Sequence, residues 1–434
     1  MSRSKDLAAR AQALIPAGCH TYSKGDDQFP ANAPGFIDRA LGCRAWDVDG
    51  REFIDWGMGL RSVVLGHGYE PVLDAVRAQL GRGSNFTRPS PLEVELAEAL
   101  VELIPSAEMV KFGKNGSDVT SAAVRLARAY TGRDLVARCR DHPFFSVDDW
   151  FIGSTECSAG VPLATQALTH QFGYNDLPEL EALFAAHPGR IAAVVMEPAT
   201  TDAPADDFLA RVRALATRHG AVLVFDEMIT GFRWHLRGAQ AYFGVTPDLS
   251  TFGKALGNGF SVSALCGRRD IMRLGGLDHE RERVFLLSAT HGGETHALAA
   301  AIAMIREVRR HDVVAHLWTI GARLQAGLGE ASREHGLGAL VTAEGYPCSP
   351  VIVCRDGAGQ PSLAYRTLFL QEMVARGVLI PYVAPSYAHG EREVEQTVAA
   401  AREAFRVYAR AIDAGGVEGF LEGPAVKPVF RRFN

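Results

Sequence analysis

Residues 248–260 read DLSTFGKALGNGF. A short strand pattern from Leu249 to Phe252 runs into Gly253, a single lysine, Lys254, and a glycine-rich turn at Gly257 and Gly259. Only six of the 45 basic residues are lysines, so a lysine in a small-residue, weakly charged setting stands out. A buried ε-amine sheds its proton readily and becomes a nucleophile toward aldehydes. Alone, the stretch reads equally as a surface loop with an ordinary lysine, so its neighbours decide.

Upstream, strand and helix patterns alternate. Residues 108–112 read as a strand, the GKNG run as a loop, and 117–130 as a helix with Val119, Ala122, Ala123, Leu126 and Tyr130 on one side. Further strands are expected at 135–139, 191–196, 221–225, 249–252 and 262–266, with a helix at 208–219. Near-continuous apolar strands separated by helices predict an α/β fold whose mostly parallel central sheet is covered on both faces. Sites in such sheets lie beyond the carboxyl ends of the strands. Asn115, Glu197, Asp226 and Lys254 each follow a strand-like stretch, so they should gather at one edge.

The flanks differ in character. Residues 1–50 read as an N-terminal arm or segment of the small domain, with a short helix and a turn-rich segment, HTYSKGDDQFPANAPG; in the AWDVDGREFIDW run that follows, Asp49-Gly50 predicts a two-residue hairpin turn. Residues 51–310 form the expected large domain, and 311–434 a smaller α+β domain with helices at 315–335 and 391–413 and strands at 351–354 and 377–381.

Composition removes several function classes. A hydrophobic content of 47% with 22% charged residues is ordinary for a globular chain. A net charge of -5 gives no electrostatic case for nucleic acid or an anionic membrane surface. No apolar run approaches the ~18 residues needed to span a bilayer, and the charged start MSRSKDLAARAQALIP is unlike a signal peptide. The seven cysteines are scattered without CxxC spacing, which predicts reduced thiols and a cytoplasmic protein.

Three stretches carry chemistry. In KNGSD (114–118) a strand, a glycine turn and a helix start leave backbone N–H groups at the positive helix end, an anion cradle, although Ser117 is also an ordinary helix cap. In FDEMITGFR (225–233) Asp226 ends an apolar run, where a carboxylate is costly unless paired; a cationic ring nitrogen would pair it. Glu197 ends the preceding apolar strand in the same way. A phosphate cradle, a strand-end aspartate and a nucleophilic lysine are the groups that pyridoxal 5'-phosphate needs.

The order and spacing of these pieces resemble the class III (fold type I) pyridoxal-phosphate aminotransferases, most closely the glutamate-1-semialdehyde aminomutase branch. The resemblance spans nearly the whole chain and is specific at NGS (115–117), RLARAYTGRD (125–134), MEP (196–198), DEMITGFR (226–233), PDLSTFGKALGNG (247–259) and THGGETHALAAA (290–301). It implies that Lys254 is the Schiff-base lysine, Asp226 the partner of the ring nitrogen, and Met228 a residue against one ring face. It further implies that Asn115, Gly116 and Ser117 form the phosphate cradle, and that Glu197 helps to position cofactor and lysine. Thr290 matches the threonine that reaches the phosphate from the neighbouring subunit, which implies a homodimer with shared sites.

Departures from the family pattern bear on substrate. Where the family has a Tyr-His-Gly run whose aromatic stacks on the cofactor, this chain reads Pro143-Phe144-Phe145, so Phe144 or Phe145 is expected to stack. The aminomutase branch holds its substrate carboxylate with an arginine; gapless alignment from Ile15-Pro16 puts Lys24 there, and lysine does not replace a bidentate arginine. Tyr22 and Lys24, in a polar cluster with His20, Asp26, Asp27 and Gln28, are the expected substrate residues, for an acceptor rich in hydroxyls or amines, although the cluster reads also as a solvated loop. Asp148 and Trp150 are further candidates, with a plain turn the other reading of Asp148 and core packing the other reading of Trp150 and of His142. His291 and His296 match no zinc spacing, and no metal is expected. The expected function is amino transfer from a small-molecule amino donor to a carbonyl acceptor, such as an oxidised amino sugar or aminocyclitol in a biosynthetic pathway. The alternatives are an aminomutase or epimerase on the same cofactor, and a catalytically inert cofactor-binding protein.

Overall fold

The structure is a computed structural model that describes residues 3–433. The first two residues of the expected arm and the last of the expected small domain lie outside them. The chain forms two compact units, one running up to Tyr69 and resuming at Ala315–Arg431, the other comprising Glu70–Val314 and the C-terminal end from Arg432.

In the first unit, β1 (Ile37–Leu41), β2 (Arg44–Asp47) and β3 (Glu52–Asp55) form an antiparallel meander. The β2–β3 connection is a three-residue loop rather than the expected two-residue turn. Asp47 and Arg51 still pair through Asp47 N–H (3.0 Å to Arg51 O), the Asp47 carboxylate collects the N–H groups of Asp49 and Arg51, and Gly50 takes the left-handed conformation at φ 89°. β3 belongs to this meander, Gly42 and His67 bridge, and the Tyr387 N–H donates to the Val64 carbonyl, so this segment of the unit runs to Tyr69 and not to residue 50.

The second unit holds the central sheet: β4 (Met109–Gly113), β5 (Leu135–Cys139), β6 (Thr169–Phe172), β7 (Ile191–Met196), β8 (Val222–Asp226), β9 (Leu249–Phe252) and β10 (Ser263–Gly267). Their order is β4-β10-β9-β8-β7-β5-β6, parallel from β9 to β6, with β10 antiparallel to both its neighbours. This is the α/β class expected from the apolar runs. The strand that the runs did not reveal is β6, THQF: it lies at the sheet edge, where an apolar face is not required on both sides. One face of β5, β7 and β8 packs with the helices Leu177–Ala186 and Phe208–His219 around Phe172, Val194, Phe208, Leu223 and Phe225.

The first unit closes with β11 (Val341–Glu344) and β12 (Val351–Cys354), a separate antiparallel pair, and β13 (Val378–Leu379), which adds to β3 in parallel. Its core gathers Trp56, Leu324, Phe369, Phe405 and Tyr408, drawing on β3 and on the long helices Val313–Glu334 and Glu391–Asp413. No helix among the described residues is long and apolar enough to cross a membrane.

Candidate active site

The register of the parallel strands brings the chemistry together. Met196 pairs with Phe225, and Asp226 with Thr251, so Glu197, Asp226 and the turn to Lys254 leave neighbouring strands at one level. At the far end of the sheet, β4 stops at Gly113 and the helix Gly116–Thr131 begins three residues later. The Asp118 carboxylate accepts the N–H groups of Lys114 and Asn115, both at 2.8 Å, and so folds the loop onto the first helical turn. The helix start then presents N–H groups that have no earlier carbonyl to bind, at the positive end of the helix dipole. Ser117 stands in this turn, and its hydroxyl accepts the Val147 N–H at 3.1 Å.

Asp226 is 2% exposed. Its Oδ1 accepts the Met228 N–H at 2.9 Å and the Thr251 hydroxyl at 3.1 Å, which leaves Oδ2 for a cationic partner. Burial pushes its pKa up to about 6, against the pull of the nearby Lys254 ammonium. The adjacent Glu227 is spent on structure: it accepts from the Thr230 hydroxyl, the Ala239 and Gln240 N–H groups and the Gln240 side-chain amide. Lys254 is half-buried and holds φ 44°, a left-handed conformation that a non-glycine residue adopts only when its surroundings enforce it.

Met228 ties three motifs into one place. A Cβ built on Gly116 would lie 3.0 Å from the Met228 sulfur, and one on Gly253 would lie 2.7 Å from it. Gly116 at the helix start and Gly253 before the lysine thus meet the thioether of Met228, two residues after the strand-end acid. A flat ring laid on Met228 would have the cradle at one end, and Asp226 and Lys254 within reach. Thr251 was not singled out in the sequence; a hydroxyl three residues before the lysine was the available signal.

The remaining expected site residues divide. Glu197 is buried, and its N–H donates to His142 Nδ1 at 3.0 Å. Phe145 is 1% exposed, edge-on to Phe151 at 5.7 Å, so it is core and cannot stack on a ligand; Phe144 is 43% exposed. Trp150 is also core, its indole N–H spent on the Ser121 hydroxyl at 2.9 Å. Asp148 is exposed ahead of the short helix Asp149–Ile152. Thr290 lies in the exposed stretch 288–291 and offers its carbonyl to the Asn85 amide at 3.1 Å. Tyr22 and Lys24 belong to the other unit and are exposed there. Of their polar neighbours, Asp27 binds Arg431 at 2.6 Å and Gln28 binds the Lys427 carbonyl at 3.0 Å, so both anchor the C-terminal tail instead of being held for a substrate. His291 and His296 both face the Glu294 carboxylate, which Lys114 also binds, and no cluster of three or more His, Cys, Asp or Glu suited to a metal occurs among the described residues.

A cavity of about 960 Å³ in the same unit is lined by Phe86, Val94, Val101, Ala289 and Gly292 among others, and by none of Glu197, Asp226 or Lys254. It is therefore a surface groove apart from the gathered acids and lysine.

Comparison with known proteins identifies the family and the fold. The model of the aminotransferase class-III family matches residues 24–381. A glutamate-1-semialdehyde 2,1-aminomutase of Akkermansia muciniphila is 33% identical over 428 residues, covering 93% of this chain and 98% of that protein. The FumI protein of Sphingopyxis sp. MTA144, solved in its PLP internal aldimine form, is 32% identical with a TM-score of 0.87, covering 95% of this chain and 98% of that one. An omega-transaminase from Sphaerobacter thermophilus is 28% identical with a TM-score of 0.83, over 94% and 98% of the two chains.

Proposed function

The chain belongs to the class-III aminotransferases, which depend on pyridoxal phosphate, and from that premise we propose that it moves an amino group from a small-molecule donor to an aldehyde or ketone acceptor. The observation that carries this reading is the meeting of Gly116 and Gly253 at the thioether of Met228, two residues past Asp226. When bound, pyridoxal phosphate supplies an aldehyde and a ring that accepts carbanion electrons. The first turn at Asn115, Gly116 and Ser117 would hold the phosphate, Met228 one ring face and exposed Phe144 the other. Asp226 Oδ2 would hold the proton on the ring nitrogen, with Glu197 beside it. Lys254 Nζ is the nucleophile toward the aldehyde, and then the base that takes up and returns the substrate proton.

The fit is tight enough to test. Replacing Gly253 by alanine is expected to raise the cofactor Kd about tenfold while leaving the fold intact, because the new methyl displaces Met228. Adding Met228→Ala to that variant should recover part of the loss. Titration of the apo-protein with cofactor, followed by absorbance, reads both effects.

A homodimer with shared sites is part of the reading. It is supported by the exposure of Ser288–His291 around Thr290 and by the open groove beside it, where Phe86, Val94 and Val101 lie among charged residues such as Arg88, Glu98 and Lys111, and which a second copy would cover. Lys254→Ala and Thr290→Asp should each inactivate the enzyme. Unfolded together and refolded at equal amounts, they should recover about a quarter of wild-type activity, since half the dimers are mixed and each has one intact site. No recovery would reject site sharing.

For the acceptor we propose an oxidised amino sugar or aminocyclitol, on the strength of Lys24 standing where the aminomutase branch has an arginine. The test is the half-reaction: the amine-loaded enzyme is mixed with candidate carbonyl compounds, and return of the starting spectrum marks acceptors. Reaction only with glutamate-1-semialdehyde or simple keto acids removes the sugar reading. The Akkermansia muciniphila relative favours a second reading, an aminomutase. Turnover with no amino donor added selects it. An inert protein would give no cofactor adduct on the Lys254 peptide after borohydride reduction.

A further inference from the structure

We propose that His142 is a positioning residue: with Asp141 and Tyr174 it braces the main chain where β7 releases Glu197, and so sets that carboxylate relative to Asp226. The inference rests on the reading of the pocket given above. His142 lies three residues past β5 and is 1% exposed. Its Nδ1 accepts the Glu197 N–H at 3.0 Å. A nitrogen that accepts carries no proton, so the ring is neutral with its hydrogen on Nε2. Burial, reinforced by the Arg138 guanidinium, pushes its pKa down to about 3, so the ring stays an acceptor across the working range.

The Nε2 atom has no hydrogen-bond partner among the described residues. An unmet buried donor costs about 1–3 kcal/mol. If packing alone were required, a phenyl ring would fill the same space against Phe145 and Tyr174 without that penalty. What the imidazole adds is the acceptor at Nδ1.

The neighbouring contacts close a ring around the same point. The Tyr174 N–H donates to Asp141 Oδ2 at 2.7 Å, and the Tyr174 hydroxyl donates to the Pro198 carbonyl at 2.7 Å. Residues 141–142 therefore grip residues 197–198 by two routes, lacing together the ends of β5, β6 and β7. Glu197 precedes a proline, which already confines its backbone to extended conformations. The His142 bond fixes what freedom is left. Since Glu197 follows Met196, which pairs with Phe225, any shift of its main chain changes its spacing from Asp226 directly.

The test uses the holoenzyme and the variants His142→Phe, His142→Asn and Tyr174→Phe. The Asn side-chain oxygen lies close to where Nδ1 does and can accept the same N–H. The readouts are the pH midpoint of the bound cofactor's visible absorbance, kcat and KM at saturating cofactor, and Tm. His142→Phe is expected to move the midpoint and to lower kcat by on the order of 10²-fold, the usual effect of a misplacement near 1 Å, with KM changed far less. His142→Asn should return both toward wild type, and Tyr174→Phe should shift the midpoint in the same direction as His142→Phe. If His142→Phe does not fold, the contrast between the other two variants decides. A lower Tm with midpoint and kcat unchanged, or equal damage from Phe and Asn, would overturn the proposal. A wild-type protein with no cofactor band would overturn the pocket reading itself, so the two failures are distinct.

Discussion

Replacing Lys254 by alanine is expected to remove at least about 10⁴-fold of kcat while leaving the fold and most cofactor binding in place. Two losses combine. The amine that attacks the aldehyde is gone, and so is the base that moves the substrate proton, a role worth about 10²–10⁴-fold by itself. The fold should tolerate the change. Lys254 already sits at φ 44°, and alanine meets the same backbone penalty there that lysine does. On the proposed reading, the first turn at Asn115, Gly116 and Ser117, with Met228 and Asp226, would remain to hold the cofactor non-covalently. Lys254→Arg is the sharper control, because it keeps a cation at the site but cannot give up its proton at working pH, and it should be equally inactive. Activity above about 1% of wild type in either variant would be incompatible with Lys254 as the working amine.

The sequence carried the sheet and the acid–lysine pair, and the reasons are local. β7 and β8 are buried on both faces, so their residues form uninterrupted apolar runs, and the first polar residue after each, Glu197 and Asp226, marks the sheet edge. The helix Gly116–Thr131 was legible to within a residue from its apolar face, but Ser117 drew the eye as the cap; in the fold the start is Gly116, and it is the Asp118 carboxylate that takes the Asn115 N–H. What stayed open depended on packing that no local pattern announces. Phe144 and Phe145 are adjacent aromatics of equal propensity and both meet Phe151 edge-on, at 5.6 and 5.7 Å; Phe145 is buried because it also packs against His142 and Trp150, while Phe144 is left exposed. Trp150 stood open between pocket and core because nothing nearby announces Ser121, 29 positions away, as its partner. Asp27 and Gln28 read as substrate ligands because their partners, Arg431 and Lys427, lie at the other end of the chain. The Met228 convergence was invisible for the same reason: Gly116 and Gly253 are far apart along the chain and meet only in the fold.

Asp226→Asn is expected to change stability and activity in opposite directions. Asparagine keeps the Oδ1 acceptor for Met228 N–H and the Thr251 hydroxyl, so local geometry should persist. It removes the charge that balances a protonated ring. Two unit charges about 4 Å apart at an effective dielectric near 20 attract by about 4 kcal/mol, so kcat should fall about 10³-fold. In the cofactor-free protein the same carboxylate is a burden. Its pKa is raised by burial from 3.8 to about 6, so the folded state holds an extra proton between roughly pH 4 and pH 6. Stability therefore drops as pH rises through that window, by about 3 kcal/mol in all. The asparagine side chain does not titrate, so the apo variant should match or exceed the wild-type Tm at pH 7, and its stability should be flatter from pH 4 to pH 6. Adding cofactor should then reverse the order at pH 7, since only the wild type gains a charge partner for the ring. Thermal melts of both proteins, with and without cofactor and across this range, read all of it. An apo Asp226→Asn protein clearly less stable than wild type at pH 7 would show that this carboxylate serves the fold and not the ring.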